Sequence, residues 1–167
     1  MMRYWHRRLF GRGTQRGVTL VELVSATAVV LVLASITLPV ANTMVKRQRE
    51  LELRRALRTI REALERFQAD TERFPNIRRE YLNTVNEEGY PEELDWLVEG
   101  VDIGDARGTR LKYLRRLPVD PMTGEREWGT RSSRDQPDSL FSDGINIFDV
   151  HTMSEKVGLN GVPYREW

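Results

Sequence analysis

The chain has 167 residues, with 26 basic and 25 acidic side chains, two histidines and no cysteine. A chain of this length forms one small domain and has room for an additional helix. The absence of cysteine excludes a disulfide framework and a catalytic thiol, and two histidines are too few for a histidine-rich zinc site.

The first 17 residues carry five arginines and no acidic residue. They precede a run from Leu23 to Ala41 without any charge, which together with the residues before it is long enough to cross a bilayer as a helix. Without these five arginines the chain has 21 basic against 25 acidic side chains, a balance that argues against nucleic acid as a partner. The pattern predicts a basic leader followed by a helix whose first partner is the lipid bilayer.

Glu22 lies inside the predicted spanning helix, where an ionised carboxylate is costly unless it is paired. The nearest cations along the chain, Arg16 and Lys46, are both outside helical reach of it. We therefore expect its partner to come from another molecule or from an α-amine created by a cut in the chain. A cut between Gly17 and Val18 would create such an amine four residues from Glu22.

The stretch Gly17-Val18-Thr19-Leu20-Val21-Glu22 resembles the processing motif of type IV pilins and type II secretion pseudopilins. In that family a prepilin peptidase cuts after the glycine and methylates the new N-terminal amine, here that of Val18. The resemblance assigns filament assembly to Glu22, the fifth residue after the cut, and to Thr19. It also places a helix-kinking proline where Pro39 stands, the twenty-second residue after the cut.

The spanning helix is predicted to continue into an amphipathic half that ends at Phe74-Pro75. Apolar residues recur there at spacings of four and three, and Glu50/Arg54 and Glu62/Arg66 have the i,i+4 order that favours ion pairs. A coiled-coil seam is an alternative, but the stripe lasts only about two heptads. We therefore expect it to pack on the chain's own head. The stripe consists of Leu53, Ala56, Leu57, Ile60, Ala63, Leu64 and Phe67.

Beyond the helix, the chain is predicted to form a connector with a short helix over 90–98, with Pro91 in its first turn. Alternating residues over 125–128 and 145–150 predict strands of a small antiparallel sheet, joined by a polar loop. The predicted segments are a leader (1–17), a transmembrane and filament-core helix (18–41), its amphipathic half (42–74), a connector (75–110), and a small sheet with a C-terminal loop (111–167).

The distal half resembles the major pseudopilin family, general secretion pathway protein G. The helix exit at 69–75, the leucine-proline turn at 113–121 and the strand at 148–152 carry this resemblance. It implies an α+β, type IV pilin-like fold with a long N-terminal helix packed on a small antiparallel sheet. The absence of cysteine favours the secretion pseudopilins over pilins, whose C-terminal loop is commonly closed by a disulfide.

No catalytic residue is predicted. After removal of the leader, His151 is the one histidine left, and on a strand edge we expect it to be exposed or hydrogen-bonded. The major pseudopilin family binds calcium in an acidic C-terminal loop, but residues 154–161 here carry one carboxylate and a lysine. Asp138 and Asp143 are the acids that could add ligands from the preceding loop. We therefore predict no cofactor and do not assign calcium.

These features predict a non-enzymatic subunit of a type II secretion pseudopilus, which drives export of folded periplasmic proteins through an outer-membrane secretin. The resemblance implies a single-pass precursor in the bacterial inner membrane, with a cytoplasmic leader and a periplasmic head, that self-associates into a helical filament. It implies as partners other pseudopilins, the prepilin peptidase, the inner-membrane assembly platform and the secretin. A type IV pilus subunit for adhesion, motility or DNA uptake is the alternative, and a signal-anchored periplasmic domain is a third hypothesis.

Overall fold

The structure is a computed structural model that describes residues 17–136, 139 and 141–167, without the side chains of 36–40. The fold is α+β, with one long helix, short helices and two antiparallel sheets of two strands each. The backbone divides into two units, residues 1–42 and 43–167. The elements are α1 (Leu20–Arg73), α2 (Pro75–Tyr81), α3 (Trp96–Glu99), β1 (Val101–Asp102), β2 (Arg110–Leu111), β3 (Gly129–Arg131), β4 (Asp149–His151) and a 3-10 turn (Tyr164–Glu166).

Helix α1 confirms the predicted long helix, since it has 54 residues and ends at Arg73. In the first unit, every side chain from Val18 to Ser35 is exposed. Among the side chains that the structure describes, which leave out 36–40, no helix is both long and apolar enough to cross a membrane.

The apolar stripe of α1 is buried in the second unit, as predicted. Ile60, Leu64 and Phe67 are fully buried, and they belong to one core with residues from α2, α3, both sheets and the 3-10 turn. Burying a large apolar side chain contributes roughly 1.5–3 kcal/mol relative to leaving it in water. The stripe is therefore the face that packs on the chain's own head. The other members of this core include Ile77, Leu97, Val101, Val150 and Tyr164.

The connector begins with a helix that was not predicted from the sequence. Phe74 takes an extended conformation, with φ −122° and ψ 95°, and Pro75 then starts α2 at a position where a missing N–H costs nothing. The helix predicted over 90–98 is shorter, since α3 begins at Trp96. Gly100 follows it with φ +83° and donates its N–H to the Trp96 carbonyl, a conformation that favours glycine.

The strands are shorter than predicted and lie at different positions. Residues 125–128 form a bend and irregular chain after the turn at 121–123, with the Asp120 N–H donating to the Glu125 carbonyl, and the strand β3 starts only at Gly129. Residues 145–148 lie outside β4 because the Ile147 N–H donates to the connector at the Pro91 carbonyl, at 2.7 Å. The sheet registers pair Val101 with Leu111 and Asp102 with Arg110, and Gly129 with His151, Thr130 with Val150 and Arg131 with Asp149.

The polar face of α1 binds the segment 149–167. Arg61 donates from Nε to Asp149 Oδ1 at 2.6 Å and from Nη2 to the Trp167 backbone oxygen at 2.8 Å. About two turns nearer the start of the helix, the Arg54 guanidinium lies 4.3 Å from the centre of the Trp167 ring. Charged groups on this face therefore bind the C-terminal segment, beside the buried stripe.

Glu50 continues this attachment. Its carboxylate accepts the Leu159 N–H at 2.7 Å and the Tyr164 hydroxyl at 2.9 Å, and burial together with this bond raises the pKa of Tyr164 to about 12. The prediction that Glu50 pairs with Arg54 is therefore wrong, because both side chains contact the C-terminal segment. Glu62 and Arg66 are also not an ion pair among the described residues, since Arg66 Nε donates to the Glu62 backbone carbonyl at 3.0 Å.

We expect Leu57→Ala to lower the free energy of unfolding of residues 43–167 by about 2–5 kcal/mol, because Leu57 is 2% exposed and its loss leaves a cavity. The matched control is Leu51→Ala, one and a half turns earlier on the same helix and 57% exposed, which should change it by less than about 0.5 kcal/mol. Urea unfolding of both variants checks this. Equal effects would contradict the assignment of the stripe to the core of the head.

Candidate functional site: residues 17–35

Thr19 caps the start of α1. Its hydroxyl oxygen accepts the Glu22 N–H at 3.2 Å, and its carbonyl accepts the Leu23 N–H at 3.0 Å. A threonine in this position satisfies one of the free N–H groups of the first helical turn. Thr19 therefore caps the helix, in addition to the predicted role in filament assembly. The three-residue spacing of Thr19 and Glu22, which is typical of a capping box, was the sequence signal for this cap.

Gly17 is required neither by packing nor by backbone conformation in the described residues. A Cβ built on it would meet no atom within 4 Å, and its φ lies outside the left-handed region that favours glycine. Other glycines of the chain differ: a Cβ at Gly129 would overlap the His151 imidazole. The fold therefore gives no reason for glycine at the predicted cut.

Glu22 lies in the first turn of α1 and is exposed. A carboxylate there is favoured by the positive end of the helix dipole. Within the part of the chain that the structure describes, its carboxylate forms no ion pair and no hydrogen bond. Glu22 therefore presents a charge that has no partner in its own helix, surrounded by apolar side chains.

The apolar side chains around Glu22 point away from the helix on all sides. Large patches of exposed apolar surface mark protein or membrane interactions. The hydroxyls within this surface are satisfied inside the helix: Ser25 donates to the Val21 carbonyl at 2.7 Å and Thr27 to the Leu23 carbonyl at 3.0 Å. The exposed residues, each 58–78% accessible, are Val18, Leu20, Val21, Leu23, Val24, Val29, Val30, Leu31, Val32 and Leu33.

Pro39 lies within α1, and its side chain is outside the described residues, so the kink stays a prediction. A proline has no N–H to donate, which leaves the carbonyl four residues earlier, that of Ser35, without its helical partner. The Ser35 hydroxyl itself donates to the Val32 carbonyl at 2.7 Å.

Asp120, in the leucine-proline turn of the head, is fully buried. Its carboxylate accepts the Met122 N–H at 2.8 Å and the hydroxyl of Thr152, and the Thr152 oxygen in turn accepts the Ser154 N–H at 3.1 Å. This chain of hydrogen bonds ties the turn to the end of β4. Asp120 therefore has a structural role, which sequence reasoning did not assign to it.

His151 is buried, and its Nδ1 has no hydrogen-bond partner among the described residues. The expectation that this histidine is exposed or hydrogen-bonded is therefore wrong, because β3 and the C-terminal turn cover the ring. Burial lowers its pKa, the Arg131 guanidinium lowers it further, and the Asp149 carboxylate opposes both effects. Both burial and Arg131 therefore disfavour protonation of the imidazole.

The acids considered for calcium do not form a cluster in the described residues, where no group of three potential ligands comes together. Asp143 accepts the Ile145 N–H at 3.0 Å, Glu155 is exposed, and Asp138 lies outside the described residues. The C-terminal loop is closed by backbone contacts instead, with a bridge between Val157 and Pro163.

Comparison with known protein families, with curated proteins and with solved structures finds no match to this chain.

Because the pKa of His151 is lowered in the folded state, the unfolded state binds more protons below about pH 6.5. The contribution of His151 to stability is therefore present above this pH and is lost as the pH falls. We expect residues 43–167 to lose less stability between pH 7 and pH 5 with His151→Gln than with the natural histidine, as measured by urea unfolding at each pH. Parallel pH profiles would contradict a buried neutral histidine.

Proposed function

We propose that this chain is a pseudopilin, a structural subunit of a type II secretion pseudopilus. Its leader is cut between Gly17 and Val18, and the new amine of Val18 is methylated. The exposed apolar part of α1 then packs against the same part of other copies in the core of a helical filament. The filament drives folded periplasmic proteins through an outer-membrane secretin, and the chain itself catalyses no reaction.

The observation that carries this proposal is the unpartnered carboxylate of Glu22 in an exposed apolar helix that starts directly after the proposed cut. Such a charge is stable in an apolar filament core only if another group pairs with it. The amine created at Val18 of a neighbouring copy is a suitable partner, since charged hydrogen bonds between an ammonium and a carboxylate are among the strong ones. A glycine at 17 that the fold does not require supports a role in processing.

The rest of the architecture supports the same proposal. The α+β head, with a long helix whose second part provides its core, is compatible with a type IV pilin-like fold. The uncharged run from Leu23 to Ala41 supports residence in the inner membrane before assembly, with the head in the periplasm. The absence of cysteine favours the secretion pseudopilus over an adhesive pilus, since no disulfide closes the C-terminal loop.

We expect the mature chain to lack its first 17 residues and to carry one added methyl group. Intact-mass measurement of the protein extracted from cells with an active prepilin peptidase checks this. Gly17→Leu should leave the full-length precursor, because the peptidase site admits only a small residue. Glycines of the head are not suitable controls, because a Cβ at Gly129 would overlap the His151 ring and the φ of +81° at Gly161 strains any other residue. The control is Leu51→Ala, at an exposed position away from the proposed cut, which should be cut normally.

An N-terminus that remains at Met1 in these cells would contradict the proposed processing. Complete cutting of the Gly17→Leu chain would show that another site is used.

We expect Glu22→Gln and Glu22→Leu to be inserted and cut normally but to reduce filament yield by about tenfold or more. The reason is the loss of a charged hydrogen bond, which contributes about 1.5–3 kcal/mol. Sheared filaments, quantified by immunoblot against total protein, give the readout. The matched control is Glu127→Gln, which makes the same change at an exposed glutamate of the head and should assemble normally. Normal filament yield with Glu22→Gln would rule out the proposed charge pairing.

A further inference from the structure

A tight loop of the C-terminal segment presents apolar side chains to water. Val157, Leu159 and Val162 are between 36% and 46% exposed. The loop is closed by backbone hydrogen bonds, among them one from the Gly158 N–H to the Val162 carbonyl at 2.8 Å. We call residues 157–162 the apolar tip. It therefore holds three apolar side chains at the surface of the head in a fixed arrangement.

Helix α1 binds the apolar tip near the start of the second unit. Lys46 donates from Nζ to the Val157 carbonyl at 2.8 Å, and the Glu50 carboxylate accepts the Leu159 N–H at 2.7 Å. The two side chains are four residues apart and therefore lie on one face of the helix, about one turn from each other. These contacts fix the apolar tip against a single turn of α1.

Two arginines flank this turn of the helix. Three residues correspond to about 300° of helical rotation, so Arg49 lies about 60° to one side of Lys46, and Arg47 about 60° to the other side of Glu50. Both arginine side chains are exposed, and they form no ion pair or side-chain hydrogen bond among the described residues. Their guanidinium groups are therefore available to a partner on either side of the apolar tip.

The charge of the whole surface is positive. Residues 43–51 and 156–163 contain four basic side chains and one acidic one. The acid is Glu50, whose carboxylate already accepts hydrogen bonds from the loop and from the 3-10 turn. Glu52 and Glu155, which border the two ranges, are the exposed acids next to them in the sequence. The surface therefore combines apolar side chains with an excess of positive charge.

The uncharged run ends close to this surface along the chain. Ala41 is its last residue, and Lys46 follows five positions later. A segment of five residues spans at most about 18 Å, whatever its conformation. In the proposed function the run lies in the bilayer, so Lys46 and the apolar tip that it binds stay within this reach of the end of the run.

We propose that the apolar tip and the two arginines beside it bind the surface of a bilayer that contains anionic lipids, before the chain enters a filament. The inference rests on the proposed function, because residence of the uncharged run in the bilayer brings the apolar tip to the membrane surface. Arg47 and Arg49 bind lipid phosphates, which guanidinium groups contact with paired hydrogen bonds. Val157, Leu159 and Val162 lie at the boundary between headgroups and acyl chains, where apolar side chains leave water.

Charge complementarity is the reason for assigning a lipid surface to the apolar tip. Binding at a membrane surface depends on burial of apolar side chains and on attraction to anionic headgroups, and this surface offers both. Residues 18–35 of another copy carry a single charge, that of Glu22, which the proposed function pairs with an amine. An apolar helix of another copy therefore leaves Arg47 and Arg49 without a partner, whereas anionic headgroups supply one.

A fluorescent probe on the full-length chain tests the contact. Since the chain has no cysteine, Leu159→Cys gives one labelling site in the apolar tip, and half-exposed Val85→Cys gives a control site in the connector. The connector contacts α1 at Thr71, about 38 Å along the helix from Lys46. The labelled chains are placed in vesicles of phosphatidylcholine and phosphatidylglycerol that carry a quencher on the lipid headgroup. We expect quenching to be about threefold or more stronger at 159 than at 85.

Charge reversal tests the part played by the arginines. We expect Arg47→Glu with Arg49→Glu to lower quenching at 159 by about threefold or more, because two attractions to anionic headgroups become repulsions. The matched control is Arg79→Glu with Arg107→Glu, which makes the same change of charge on exposed arginines of the connector and should leave quenching unchanged. We expect the chain with natural arginines to show the same loss in vesicles of phosphatidylcholine alone.

The outcomes separate this contact from the proposed function. Equal quenching at the two labelled sites, undiminished quenching without anionic lipid, or an equal loss in the Arg79/Arg107 control overturns the lipid contact and leaves the filament subunit standing. A probe at 159 that is shielded in filaments but not in vesicles assigns the apolar tip to another copy and also overturns it. If alkaline carbonate removes the natural chain from vesicles, the run does not reside in the bilayer, and the proposed function fails together with the contact.

Discussion

The head depends on one buried stripe of α1. Its four strands are only two or three residues long, and sheets of two such strands are not stable alone in water. Phe67 shows how the helix substitutes for a larger sheet, because its ring packs 6.4 Å from that of Trp96 and 5.4 Å from that of Tyr113, centre to centre. The helix supplies the core, and the turns and short strands are arranged around it.

The same helix meets two different demands along its length. In the first unit, apolar residues surround the helix and are exposed, which suits packing against other helices or lipid. In the second unit, one stripe is buried and the charged side chains divide into two groups. Arg61 and Glu50 bind the chain's own C-terminal segment, whereas Arg55 lines a groove beside the loop 116–126.

The features that could be predicted from the sequence are those set by local periodicity. The stripe that contains Leu57 and Phe67 repeats over several turns, and Phe74-Pro75 ends the helix for steric reasons that act between neighbours. The strand positions could not be predicted, because distant partners decide them: the Ile147 N–H donates to the connector at Pro91, 56 residues earlier. An alternating pattern alone does not specify which backbone groups will pair.

The features of the candidate site and of its surroundings could likewise be predicted only where they depend on neighbouring residues. Glu22 and Gly17 were identified because a charge in an apolar run and a glycine before it are visible in the sequence itself. The helix cap at Thr19 could also have been predicted, because the three-residue spacing of Thr19 and Glu22 is visible in the sequence. The partners of Glu50 and the burial of His151 could not be predicted from the sequence, because each depends on where the segment 149–167 returns to the helix.

The return of residues 149–167 to α1 affects when the head can fold during synthesis of the chain. Lys46 binds the Val157 carbonyl and Glu50 binds the Leu159 N–H, so contacts in the middle of α1 join residues more than 100 positions apart. Contacts of such separation form late, because the long intervening chain must first be brought together. A ribosome-bound chain that lacks residues 149–167 cannot complete its core, and α1 keeps an uncovered stripe until they arrive. The core of the head therefore closes only once residues 149–167 have reached α1.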